Sequence, residues 1–243
     1  MQLNRKRMAL VAGAMVVIVS LGVAVRAERS RRGRNEHPNP ATPEAALAEL
    51  RAGNARYMSS DRTLSTDTEH DADDRTELAK GQHPYAAVLC CSDSRVCPEF
   101  IFDQRPGSIF DIRNAGNVVD DDVMASLEYA VEHLHVRLIL ILGHKGCGAI
   151  EAVHNAADKP LHDHLRAIQE RMSCIRPQLA ASRDRHSVDD LNQLSKDNAK
   201  GQAMTLLAES EPLRNAVTNG EVRLVYALYD MVSGKVEFFE LEG

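Results

Sequence analysis

The 243-residue chain contains no tryptophan, and all aromatics together make up 4% of it. It has no internal repeat, heptad run or low-complexity tract, which excludes solenoid, coiled-coil and collagen-like architectures. It lacks net positive charge: 29 Lys+Arg stand against 35 Asp+Glu, a formal −6. That balance excludes wholesale binding to a phosphate backbone, so no nucleic-acid partner is expected. It also lacks a C-x-x-C pair, because Cys90 and Cys91 are adjacent and Cys147 is distant, so a dithiol redox site is excluded. The length suffices for a core without disulfide staples.

The charge that is present is unevenly placed. Up to Arg34 there are eight Lys/Arg and one acid, Glu28, which leaves 21 and 34 for the remainder, a net of −13. Arg5, Lys6 and Arg7 precede the apolar run Met8–Val25, interrupted only by Ser20, and Val25-Arg26-Ala27 is a plausible cleavage site. A run without an amphipathic face does not suit a core helix. Residues 1–27 therefore read as a signal peptide or as an uncleaved membrane anchor, engaging export machinery or membrane. The five Arg that follow weaken a simple orientation. Export, to the periplasm, is the favoured reading, with membrane anchoring as the alternative. Residues 28–41 are polar and Pro-containing and read as a linker. Residues 42–243 form the folded domain.

Thr42-Pro43-Glu44 predicts a helix start, followed by Ala46, Leu47, Leu50 and Tyr57 at helical spacing. Short apolar strands are expected at Tyr85–Cys90, Ser108–Arg113 and Arg137–Gly143, with an amphipathic helix at Val123–Leu134. Another helix is expected from Cys147, and helical patterns fill much of 161–218. Val222–Tyr229 and Lys235–Leu241 flank Ser233-Gly234 as an antiparallel hairpin. The fold class is α/β: a mostly parallel sheet with helices on both faces and an antiparallel C-terminal edge strand. In such a sheet the ligand crevice lies beyond the carboxyl ends of the strands.

Two chemically rich segments leave those ends. Cys91 opens one; His144 and Cys147 lie in the other, three positions apart at a helix start. Two thiolates and one imidazole with an open position form the donor set of a catalytic Zn2+. Taken singly, a buried Cys is a small hydrophobe and a His a satisfied polar side chain. Gly146 and Gly148 are expected to allow close backbone approach around the metal. With two thiols used as ligands, Cys90, Cys97 and Cys174 remain, an odd number best read as free packing residues.

CSDSRV at Cys91–Val96, IRNAGN at Ile112–Asn117, SLEYAVEHL at Ser126–Leu134 and ILGHKGCGA at Ile141–Ala149 together resemble the β-class carbonic anhydrases. The opening TPEAALAELRAGNARY and the closing VYALYDMVSGKVEFF are similar to that family too. The resemblance implies a zinc lyase that hydrates CO2 reversibly to bicarbonate and a proton. In it Cys91, His144 and Cys147 are the zinc ligands and Asp93 and Arg95 the catalytic dyad. Zinc lowers the pKa of water to about 7, and Asp93, held by the Arg95 fork, positions the resulting hydroxide. Without that fork Asp93 swings onto zinc as a fourth ligand, which some family members do in a closed low-pH form.

The resemblance further implies a pocket of Gln82, Val96, Gly116 and Asn117 for CO2 and bicarbonate, and assembly as a homodimer or homotetramer. Bicarbonate-regulated members carry Trp three residues before the first zinc Cys; here Val88 stands there, so no such regulatory site is expected. His133, His135, His154, His162 and His164 offer proton relays. The alternative activity is hydrolysis of a CO2-like molecule, carbonyl sulfide or carbon disulfide, on the same zinc site.

Overall fold

The structure, a computed structural model, describes residues 40–59, 75–76, 78–156, 159–182 and 185–241. The leader at 1–27 and nearly all of the linker lie outside the described residues.

Helix α1 (Pro43–Met58) begins as its sequence demands: the Thr42 hydroxyl accepts from the Ala45 N–H at 3.2 Å, and Pro43 opens the first turn. Five strands follow as β1 (Ala86–Cys91), β2 (Ile109–Asn114), β3 (Leu138–His144), β4 (Arg223–Tyr229) and β5 (Val236–Glu240). They pair in the order β2-β1-β3-β4-β5, all parallel except the final β4–β5 pair. The helices between them are α2 (Pro98–Ile101), α3 (Asp121–Glu132), α4 (Gly148–Ala156), α5 (Leu165–Arg171), α6 (Arg176–Ala181), α7 (Val188–Glu209) and α8 (Glu211–Thr218). A 3₁₀ turn, Met172–Ile175, joins α5 to α6.

Period-two alternation sorts the strand residues into two layers. Ala86, Val88 and Cys90 of β1, Leu138, Leu140 and Leu142 of β3, and Val225 and Ala227 of β4 pack with Leu47 and Leu50 of α1 and with Phe102. Ala87, Leu89, Ile139, Ile141, Leu224 and Tyr226 face the other way, onto Val123 and Leu127 of α3, Ala199, Ala203 and Leu206 of α7, and Leu213 of α8. Every residue of β1 and β3 is buried, as strands covered on both faces must be. α7 lies close over β3: a Cβ on Gly143 would fall 2.9 Å from the Ser195 carbonyl oxygen, so only glycine fits there.

β1 runs on to β2 at one side of the sheet, and the chain then crosses to β3 on the other side of β1. The carboxyl ends of β1 and β3 therefore meet at the point where strand order reverses, the place an open α/β sheet offers a crevice. A third apolar cluster lies at this edge, formed by Cys91, Val118, Cys147, Ile150, Val153, Met172, Ile175 and Leu194.

Candidate metal centre

β1 ends in Cys91 and β3 in His144, while Cys147 immediately precedes α4. Their ligand atoms all lie within 4.8 Å of one another. All three residues are buried, His144 completely. The imidazole is oriented by its Nδ1, 3.0 Å from the Lys145 carbonyl oxygen. A carbonyl only accepts, so Nδ1 carries the proton and Nε2 presents a lone pair. That Nε2 is buried without a hydrogen-bond partner. A desolvated acceptor between two thiols is costly unless something binds it, and imidazole nitrogen with two sulfurs is a soft donor set suited to zinc. The residues fit the metal.

The cluster already favours one anionic sulfur. Cys147 donates to Cys91 and pulls its thiol down; burial opposes this, and the Gly116 N–H, 3.3 Å from the sulfur, assists. The same pairing, with burial, pushes the Cys147 thiol up.

Asp93 stands two residues after Cys91. Arg95 takes both its carboxylate oxygens, Nε to Oδ1 at 2.9 Å and a terminal nitrogen to Oδ2 at 2.7 Å, and the Arg95 backbone N–H adds a third bond at 3.0 Å. This bidentate grip, with the backbone bond, holds the carboxyl well below the usual carboxylate range despite some desolvation. Oδ2 lies 4.0 Å from His144 Nε2, so the carboxylate faces the cluster.

The remaining expected residues separate. Gly116 adjoins the cluster; its φ of +80° and its position 2.5 Å, Cβ to Cε, from Met172 admit no side chain. Asn117 is buried beside it with φ +43°, and its side-chain Nδ2 has no partner. Val96 is buried in the α1-side core layer, apart from the Cys91–Cys147 cluster. Gln82 is exposed and lies four residues before the amino end of β1, whereas Cys91 closes that strand. Gly146 serves a left-handed turn at φ +65°, and a Cβ at Gly146 or Gly148 would meet nothing within 4 Å.

Sequence reasoning missed the groups that hold the loops. Arg113 donates to the Cys91 carbonyl oxygen at 3.2 Å and to the Asp93 carbonyl oxygen at 2.9 Å, tying both residues to β2. From α7, Asn192 accepts from the Gly146 N–H at 3.0 Å, Asn198 donates to the Gly116 carbonyl at 2.9 Å, and Gln202 accepts from the Val119 N–H at 2.8 Å. The signal that could have found them is a buried polar stripe at helical spacing on an otherwise apolar face.

Residues 86–236 match the model of a protein family described as carbonic anhydrase. The chain is 33% identical over 199 residues to carbonic anhydrase 2 of Mycobacterium tuberculosis, spanning 79% of this chain and 91% of that protein. It is 32% identical over 202 residues to a carbonic anhydrase of Mycolicibacterium smegmatis, spanning 82% and 94%. Among solved structures it resembles the β-carbonic anhydrase CafA of Aspergillus fumigatus, with TM-score 0.62, 28% identity and coverage of 82% and 92%. It also resembles a tetrameric β-carbonic anhydrase of Sordaria macrospora, with TM-score 0.62, 25% identity and coverage of 69% and 86%.

Proposed function

The chain belongs to the β-class carbonic anhydrase family, and on that premise we propose that it interconverts CO2 and bicarbonate at a zinc ion held by Cys91, His144 and Cys147. The observation that carries the metal assignment is the buried, partnerless Nε2 of His144 set among two thiol sulfurs. Zinc bound there supplies a Lewis acid that polarises water at neutral pH. The protein supplies the rest. Asp93 Oδ2 accepts a hydrogen bond from the attacking oxygen and fixes its lone pair. Arg95 keeps that carboxylate ionised and turned away from ligation by occupying both its oxygens. Arg113 fixes the backbone from which Cys91 and Asp93 project. Gly116 seals the cluster with a backbone N–H, and its lack of a side chain lets Met172 pack against the loop.

The tetrameric Sordaria relative supports a homo-oligomer, dimer or tetramer, for this chain. The basic and apolar character of residues 1–27 supports export or anchoring of the domain. Stopped-flow CO2 hydration with metal analysis tests the reading: about one zinc per chain is expected, with activity rising above neutrality. Zinc-loaded protein inactive on CO2 at alkaline pH but hydrolysing carbon disulfide would shift the assignment to the CO2-like substrates.

A further inference from the structure

α4, α5 and α6 enclose a cavity of about 390 Å³, within the size range of small-molecule sites. Val153 and Met172 form its buried floor and Leu179 a half-buried wall. It lies behind the metal centre: Met172 separates it from Gly116, whose N–H bonds Cys91.

His154 lines this cavity and is 4% exposed. Its Nε2 lies 2.9 Å from the Ser182 carbonyl oxygen. The carbonyl only accepts, so Nε2 donates and the neutral ring has a lone pair on Nδ1. That Nδ1 is buried and has no partner. It is a second desolvated acceptor of the kind found at the metal cluster, on a residue that lines the cavity and packs edge-on against the His186 ring at 5.0 Å. At the exposed rim, Arg166 is engaged by Glu170 at 3.3 Å. Arg176 makes no ion pair or hydrogen bond among the described residues, and the Ser173 hydroxyl beside it is likewise unused.

We propose that this cavity is a second ligand site, separate from the metal centre, that takes a small hydroxy-carboxylate. The ligand hydroxyl donates to His154 Nδ1 at the buried end. Its apolar body covers Val153, Met172 and Leu179. Its carboxylate meets Arg176 and the Ser173 hydroxyl at the rim, where the planar guanidinium fork suits two oxygens. An acceptor at the floor and a cation at the mouth demand both functional groups in one molecule.

The probes are 4-hydroxybenzoate and benzoate, titrated calorimetrically into the zinc-loaded full chain. 4-Hydroxybenzoate is expected to bind about tenfold or more tighter than benzoate, because benzoate leaves the buried acceptor unpaired. Arg176→Ala weakens both by about tenfold, with the CO2 hydration rate unchanged. His154→Phe removes the preference between the two probes. If that buried substitution fails to fold, the chemical shift of a labelled Met172 methyl reports the same occupancy in the native chain. Equal affinity for both probes, undiminished binding in Arg176→Ala, or no binding up to about 10 mM would overturn the proposal.

Discussion

Both oxygens of the Asp93 carboxylate belong to one guanidinium, and the consequence is carried by a proton. A carboxyl whose pKa is depressed in the folded state keeps its charge as pH falls; the stabilisation it brings is present above the ordinary carboxyl range and fades only as pH drops through the lowered value. Removing Arg95 lets the carboxyl return upward. It also takes a cation from beside the water that zinc would activate, which disfavours the hydroxide, so Arg95→Ala is expected to move the acid limb of the pH–rate profile to higher pH by about one unit and to lower kcat/KM by about 10²-fold or more. Arg95→Lys restores a charge without the fork and recovers part of the loss. An unmoved acid limb would mean that the pair is structural. Cys91, His144 and Cys147 are legible in the sequence because thiol and imidazole at strand ends have few other uses. Gln82 enters the pocket by likeness alone, and the full run of β1 lies between it and Cys91. Arg113 is illegible because an arginine in a strand gives no hint that it will cap two carbonyls of a neighbouring loop.

At the scale of elements, β2 is the exposed flank of the parallel sheet, and Asp111 sits on it within range of Glu99, Arg113 and Cys90. Burial first, then the Glu99 charge, push its carboxyl up to about 6, against the pull of Arg113 and of the Cys90 thiol, 3.6 Å away. A raised acid favours the folded state while protonated. Its contribution is full below the ordinary value near 3.8 and is lost as pH climbs through about 6. Asp111→Asn keeps an acceptor for Cys90 and is expected to stabilise the fold by about 1 kcal/mol above pH 6, discounted for partial solvent exposure, with no gain near pH 4. Urea unfolding at the two pH values checks it, and a gain that ignores pH would refute the cause. Strand existence and order follow from apolar runs and the alternation of elements. Ends are displaced by a residue, Ala86–Cys91 against the expected Tyr85–Cys90, because Cys91 is apolar enough to pair in the sheet and chemical enough to leave it. The role of α7 is invisible for a different reason. Asn192, Asn198 and Gln202 satisfy loop backbone far away in sequence, and propensity reports only local preference.

For the whole molecule, β1 and β3 carry donors to one point while the core layers on either face hold the sheet without it. The fold is therefore expected to survive metal removal at a loss of stability. Treating the zinc-loaded protein with a strong chelator is expected to lower Tm by about 5–10 °C with secondary structure retained. Cys91→Ser should bind less zinc and melt near the chelated protein. Loss of all structure on chelation would instead make the metal a folding requirement.

The meeting of donors at the reversal of strand order has a kinetic side as well. Cys91 and His144 stand 53 positions apart along the chain, so an ion joining them is a reversible cross-link that closes a long loop. Such a tie can form only once the crossover to β3 has brought the two strand ends together. Contacts absent from the transition state slow unfolding and leave folding speed alone. An ion bound there to activate water would thus also lengthen the lifetime of the scaffold around it, acting as a latch.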